Sequence, residues 1–195
     1  MKFTFSWLKD HLNTSANLNE IVDSLNKIGL EVSSLKIYKT DVNKLKVAKI
    51  IDVKKHPNAD KLNVCTIQFN EAQTQVVCGA PNVNVNKKYV FAPSGTFIGG
   101  IDLTLKKAVI RDVESDGMLC SEKELEISDD HNGIIELPDN IDLNENVSNY
   151  LGIDDPVIEI EITPNRGDCL GVRGIARDLS ALGIGELKPL KLNDL

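Results

Sequence analysis

The sequence predicts an α+β chain: a small all-β domain set into a chain whose two ends carry helices. Three observations lead there. Residues 17–29 carry an apolar stripe at helical spacing, the period changes to two from residue 44, and helical spacing returns after residue 168. Helix and strand signals thus bracket a β-rich middle, the pattern of a small discontinuous α/β domain with an insertion; two independent ends are the alternative. We place the flanking domain at residues 1–40 plus 151–195 and the insert at residues 41–150.

The first helix is the clearest element. In NLNEIVDSLNKIGLEV, Leu18, Ile21, Val22, Leu25 and Ile28 share one stripe. Asn17 with Glu20 three positions on resembles a capping box, and Gly29 sits where a helix end wants a left-handed residue. Such a helix must dock on something. The middle reads as five short strands, KLKVAKIIDV, LNVCTIQF, TQVVC, KYVFA and IDLTL, punctuated by Gly79, Pro81, Gly95, Gly99 and Gly100. In the first, Leu45, Val47, Ile51 and Val53 share a face that Lys49 interrupts; in the last, Ile101, Leu103 and Leu105 alternate cleanly. Five such strands close together predict a closed or sandwiched β-domain. Beyond them, SEKELEI reads as one or two helical turns, NGIIELP as a short strand, and VIEIEIT as a strand by its β-branched content. PNRGD breaks that strand. CLGVRGIARDLSALG follows as a helix, with Leu170, Ile175, Leu179 and Leu182 towards one face and Gly183 as its stop.

The 195 residues suffice for one good core or two small ones. No apolar run approaches the ~18 residues of a membrane helix, and MKFTFSWLKDHLN carries charge too early and too often for a secretory signal. Cys65, Cys78, Cys120 and Cys169 are widely spaced, with no CxxC pair and no accompanying histidine pattern. That speaks against structural zinc and a disulfide framework, and fits reduced thiols in a cytoplasm. The net charge of −7 opposes indiscriminate nucleic-acid binding, yet the charges are segregated. Residues 44–61 hold six lysines against Asp52 and Asp60, and residues 87–111 hold five basic side chains against Asp102. Residues 112–161 hold sixteen acids against Lys123 alone. Either the basic and acidic surfaces face each other or solvate separately, or the two basic segments form one face for a polyanion. Charge by itself does not choose.

The stretch HPNADKLNVCTIQF, beginning at His56, carries the functional question. Pro57 pushes His56 out of helical geometry and favours a tight turn, so the stretch joins the first strand to the second. In a five-stranded OB barrel, that first loop and the loop between strands four and five flank the ligand face. The first loop gathers Lys54, Lys55, His56, Asn58 and Lys61; the other would be residues 94–100, rich in glycine. Lysines suit phosphates, and Asn58 and Asn63 offer donors and acceptors to sugars or base edges. Lys87, Lys88, Lys106, Lys107 and Arg111 complete the candidate set. A metal would need a second histidine nearby, and His11 and His131 are remote in sequence. An acid–base site from His56, Asp60 and Cys120 has nothing in the sequence to bring it together. A plain polar turn is the remaining alternative. Phe69, Tyr89, Phe91 and Phe97 are the aromatics of this region and read mostly as core, so contact with a folded RNA's backbone and shape is favoured over base stacking.

HPNADKLNVCTI, VVCGAPNV and IRDVESDGMLCSEKEL resemble, in order, the successive signatures of the tRNA-binding OB domain. FSWLKDHLN, KIGLEV, ISDDHNGIIELP and ITPNRGDCLGVRGIARDLSAL resemble the N-terminal region of the phenylalanyl-tRNA synthetase β-subunit family, so the resemblance covers essentially the whole chain. Asp112 and Gly167 depart from it, standing where the pattern often has glycine and alanine. The resemblance implies a five-stranded OB-fold β-barrel as the insert and a non-catalytic tRNA-binding role, with no catalytic or metal-ligating residue in this segment. It also implies a cytoplasmic α2β2 enzyme that uses ATP and magnesium to attach phenylalanine to its tRNA. Catalysis would lie in the α subunit, and the β subunit's editing site and magnesium ligands beyond residue 195. On that reading the chain, ending in KPLKLNDL, is an N-terminal fragment of the β subunit. Two other roles stand beside tRNA binding: an assembly scaffold, suggested by the helical stripe and the acidic run, and a free-standing tRNA-binding protein.

Arg166-Gly167-Asp168 spells an integrin-type tripeptide, but without a secretion signal a structural turn is the better reading. Pro164 ends the strand, Asn165 and Gly167 permit the turn, and Asp168 caps the next helix. Arg166, Arg173 and Arg177 are expected to pair with the acidic stretch or to reach RNA. Cys120 reads as a packed thiol rather than a nucleophile.

Overall fold

The computed structural model describes residues 1–190; residues 191–195, the end of the predicted flanking segment, lie outside the described residues. In chain order the front carries β1 (Lys2–Thr4), α1 (Phe5–His11), β2 (Leu12–Asn13), α2 (Leu18–Lys27) and β3 (Val32–Lys36). Next come β4 (Lys46–His56), β5 (Ala59–Phe69), β6 (Ala72–Cys78), β7 (Lys88–Ala92), β8 (Phe97–Ile98) and β9 (Leu103–Thr104). They are followed by β10 (Ala108–Ile110), β11 (Val113–Ser115), β12 (Met118–Leu119), β13 (Glu136–Leu137) and α3 (Val147–Leu151). β14 (Val157–Ile160), α4 (Val172–Ala181) and β15 (Glu186–Leu187) complete this mixed α/β chain, in which strands predominate. The chain packs as two compact units: Met1–Ile37 with the chain from Asp155 onward, and Tyr38–Asp154.

In the first unit β14 lies between β1 and β3 in an antiparallel sheet, so strands distant in sequence close one layer. α2 starts on the expected capping box, with Glu20 N donating to Asn17 Oδ1 at 3.1 Å and Asn17 N to Glu20 Oε2 at 2.8 Å. Gly29, at φ 78°, ends it. The stripe docks within this unit: Ile21 and Leu25 are buried with Phe3, Leu8, Ile158 and Leu179. α4 departs from expectation. Its covered face is Val172, Ile175, Ala176 and Leu179, while Leu170 is 67% and Leu182 43% exposed. The 3-10 turn Gly167–Cys169 delays the helix and leaves Leu170 ahead of its first turn.

Asp168 does not cap α4; Gly171 holds that position without a side-chain bond. Asp168 instead accepts from Arg166 Nε at 3.2 Å and from the Arg177 guanidinium, and both arginines also reach Asp178. Arg173 donates to Lys188 O at 3.0 Å. The arginines therefore find local partners rather than the acidic run. Asp168, Cys169 and Asp178 bring ligand atoms within 4.8 Å of one another, yet two guanidiniums already hold those carboxylates and balance their charge, which leaves little pull on a cation. Arg166, then Arg177, hold the Asp168 carboxyl down to about 2.

In the second unit the main antiparallel sheet runs β12-β7-β4-β5-β6, with β13 also paired to β7. Both faces of β4 and β7 are buried, Leu45, Val47, Val90 and Ala92 in one cluster and Ala48, Ile50, Tyr89 and Phe91 in the other. A register shift between Ile50 and Asp52 changes the alternation, so Ile50 is fully buried and Ile51 only partly. That bulge is what the misplaced Lys49 signalled. IDLTL is not a strand of this sheet. Gly99–Ile101 makes a 3-10 turn, Asp102 is left-handed at φ 51°, and Leu103–Thr104 pairs with Phe97–Ile98. Ile101 and Leu103 are consequently exposed and Leu105 alone is buried. β12 and β13 occupy the flank of β7 instead. SEKELEI supplies one turn, which stops at Glu126, φ 61°.

An unfolded aspartate ionises near about 3.9, above the value held by Asp168, so its contribution is complete above roughly pH 4 and drains away as the pH falls towards about 2. Asp168→Asn is expected to lower the urea midpoint at pH 7, with the gap to wild type closing through this acid window. An equal gap at both ends of the window would contradict it.

Candidate nucleic-acid interface

Pro57 and Asn58 form the two-residue tip of the β4–β5 hairpin, with His56 opposite Ala59. Proline holds φ near about −65°, so this tip is not a primed turn matched to strand twist. A register shift between Lys55 and His56 absorbs the mismatch. Facing it is the tip of β10–β11, where Ile110 opposes Val113 and Arg111 and Asp112 have φ of 47° and 72°. Two left-handed residues in a two-residue loop are the mark of a type I′ turn, usually built with glycine or asparagine. Asp112 thus stands at a position that requires positive φ, and aspartate tolerates it better than most side chains.

His56 joins the two tips. It is 5% exposed, and its Nδ1 accepts the Asn58 N–H at 3.0 Å. The ring proton therefore sits on Nε2, which donates to Ile110 O at 3.0 Å. Asn58 Nδ2 donates to Arg111 O at 3.2 Å and to Asp112 Oδ2 at 3.0 Å, and Arg111 Nη1 returns a bond to Asn58 O at 3.3 Å. Four hydrogen bonds tie one tip to the other. His56, expected as a ligand contact, is instead the buried pin of the assembly.

The candidate residues divide accordingly. Lys55 and Lys61 are exposed on β4 and β5 beside the joined tips, and Lys54 is 77% exposed in its side chain while pairing with Asp52 at 3.1 Å. Such an exposed pair is worth only about 0–1 kcal/mol and leaves the ammonium available. Lys106 is exposed just ahead of β10, and Lys107 meets Glu114 at 3.3 Å. Asn63 is half-buried between Lys55 and Cys78 on neighbouring strands. Lys87 and Lys88 do not join this group. Lys88 opens β7 and Lys87 immediately precedes it, across β4 from β5, where Lys87 pairs with Glu136 and Asp139, each at 3.2 Å. Glu136, then Asp139, raise the Lys87 pKa. Lys88 Nζ donates to Asp139 O at 2.8 Å and Ile141 O at 2.5 Å.

Residues 94–100 are not the partner loop either. Asp41 N donates to Phe97 O at 2.9 Å and Lys44 Nζ to Gly95 O at 2.9 Å, which ties that loop to the chain entering β4. His56 closes the other end of β4, an 11-residue strand. The true partner, residues 108–115, went unread because an Arg-Asp turn lacks the glycine or asparagine that marks a hairpin; the short AVI and VES runs on either side were the available signal. Acid–base chemistry through His56 and Cys120 has no geometric support, since both ring nitrogens are engaged and Cys120 is fully buried, with burial pushing its thiol up.

The family model described as a putative tRNA binding domain matches residues 45–146. The chain belongs to that family. It is similar along its length to the phenylalanine–tRNA ligase β subunit of Bartonella henselae, 51% identical over 199 residues, covering 100% of this chain and 24% of that relative. The phenylalanine–tRNA ligase β subunit of Brucella abortus is 50% identical over 189 residues, 96% of this chain and 23% of that one. These relatives bear out the resemblance to the synthetase β-subunit family, and the chain spans about a quarter of their length. Among solved structures, the MetRS related protein from Pyrococcus horikoshii aligns at 21% identity with a TM-score of 0.39, covering 53% of this chain and 87% of that one. The matched tRNA-binding domain takes in both hairpin tips.

Removing the pin leaves the Ile110 carbonyl and the Asn58 N–H without their partner, a loss of about 1–3 kcal/mol. His56→Ala is expected to lower the unfolding free energy by that amount, read as a lower urea midpoint, and to speed amide exchange at Asn58 and along residues 108–115. An unchanged midpoint with unchanged exchange would refute the pin.

Proposed function

We propose that the joined hairpin tips hold tRNA by its phosphates, as the non-catalytic tRNA-binding module at the N-terminal end of a phenylalanine–tRNA ligase β subunit. The observation that carries this reading is the tie through His56 and Asn58, which sets exposed Lys54, Lys55, Lys61 and Arg111 around one end of β4 and β5. Lys106 and Lys107 extend the basic surface along the second hairpin. Flexible ammonium groups suit phosphates as point charges, and Tyr89 and Phe91 are buried while Phe69 and Phe97 are half-buried, so shape and backbone are favoured over extensive stacking. His56, Lys87 and Lys88 leave the contact set for the reasons given by their partners.

The second unit is read as an OB-type barrel inserted into the first. The support is that β6, one end of the main sheet, is bonded to the chain around β11: Asp116 N donates to Gln75 O at 2.9 Å, Gln75 Nε2 to Glu114 O at 2.7 Å and Val77 N to Ser115 Oγ at 3.1 Å. The whole enzyme would attach phenylalanine to its tRNA in the cytoplasm, using ATP and magnesium, with an α subunit in an α2β2 tetramer. Those ligands belong to the full enzyme; no residue of this segment is assigned to them. A scaffold role loses one of its motives, because the α2 stripe is covered within its own unit.

The combined Lys54→Glu, Lys55→Glu and Lys61→Glu variant is expected to bind tRNA more weakly. Each lost phosphate contact should flatten log K against log salt by about 0.7–0.9. Equal affinity at low salt would defeat the proposal.

A further inference from the structure

Beside the basic strands lies a cavity that neither the hairpins nor their phosphates use. Its volume is about 360 Å³, within the range of small-ligand sites. Val77, Met118, Leu119 and Ile134 give it apolar walls, and Ser121, Glu124 and His131 bring polar groups. Gly79 forms part of the wall and connects it to the lysine-bearing strand: a Cβ there would lie 3.1 Å from Leu62 Cδ2 and 3.8 Å from Lys61 O. The cavity therefore adjoins the surface assigned to the RNA backbone.

The polar groups are held in place. Ser121 N donates to Glu124 Oε2 at 2.5 Å and Glu124 N to Ser121 Oγ at 3.5 Å, a capping box that orients the carboxylate. Ser121 Oγ also meets His131 Nδ1 at 3.1 Å. Among the described residues Glu124 Oε1 and His131 Nε2 have no hydrogen-bond partner; Glu124 Oε1 is not a buried unsatisfied atom and His131 is exposed, so both can meet a ligand. A carboxylate in the cavity repels phosphate while the strand outside attracts it. That division suits a nucleotide whose backbone stays on the lysines and whose base enters. Among the bases, guanine alone offers two adjacent donors, N1–H and the N2 amino group, to a single carboxylate; cytosine and adenine offer one amino group beside an acceptor, and uracil sets its N–H between two carbonyls. The exposed His131 ring can lie against the base, as aromatic side chains do with unpaired RNA bases.

We infer that this cavity is a binding site for one unpaired guanine, held through its donor edge by Glu124. The inference rests on the tRNA-phosphate reading above for its source of RNA, and it can fail separately from it. The intact chain is titrated with guanosine, cytidine, adenosine and uridine while the amide resonances of Gly79, Leu119 and Gly133 are followed. Guanosine alone is expected to move them. Glu124→Gln, which keeps an oxygen for Ser121 N, should abolish that response, and Ala80→Leu should do so by filling the cavity. Both variants should weaken tRNA binding roughly tenfold, the scale of one bidentate base contact, with the salt slope unchanged. No guanosine response, an equal response to all four nucleosides, or a response that survives both substitutions overturns the inference. The triple lysine variant should keep its guanosine response whatever its tRNA affinity, so loss of the phosphate reading shows in the salt slope alone.

Discussion

A buried imidazole with both nitrogens engaged is the constraint on which the candidate interface depends. His56 reaches Asn58 within its own hairpin and Ile110 in another, so two segments far apart in sequence become one object. Backbone groups at hairpin tips normally turn to water; here a side chain and a neighbouring turn satisfy them. The tie brings the exposed lysines near the β4–β5 tip and Arg111 of the second hairpin to one end of the unit. Asp112 deepens it, since its left-handed backbone makes the turn and its carboxylate takes Asn58. Glycine at that position would serve the turn and lose the bond.

Charge follows the same partition. An excess of acid over the whole chain coexists with exposed lysines at the hairpins, where Asp52 and Glu114 pair only with Lys54 and Lys107. Glu136 and Asp139 take Lys87, and the backbone of that segment takes Lys88, so the acidic run covers the β7 flank and leaves the hairpin tips open. Of the alternatives left by composition, the facing of basic and acidic side chains is what the β7 flank shows. In the other unit, Arg166 and Arg177 are satisfied by Asp168 and Asp178, so a tripeptide that looks like a recognition motif is a neutralised turn.

Local signals were legible where the physics is local. The capping box of α2 and the proline tip of the first hairpin each depend on residues within a few positions, and each is found as read, whereas β14 stops at Ile160, ahead of the break expected at Pro164. Alternation misled where an extra residue or a neighbouring strand decided the outcome. Ile50 replaces Ile51 in the core because of a bulge, and IDLTL alternates without joining the sheet because Gly99 and Gly100 turn the chain beforehand. Leu170 fits a helical stripe on paper, yet the helix starts two residues later.

Residue chemistry and short-range spacing by themselves determined the mix of helices and strands, the succession of most elements, and the separation of acid from base. These follow from side-chain size, charge and backbone preference, which belong to each residue and its neighbours. Only the tertiary structure decided that His56 is buried and pins two hairpins, that Lys87 and Lys88 bond to residues 136–141, and that residues 108–115 rather than residues 94–100 meet the β4–β5 tip. Those outcomes depend on which hydrogen-bonding groups meet after distant strands pack, and that meeting is absent from any local stretch of the chain.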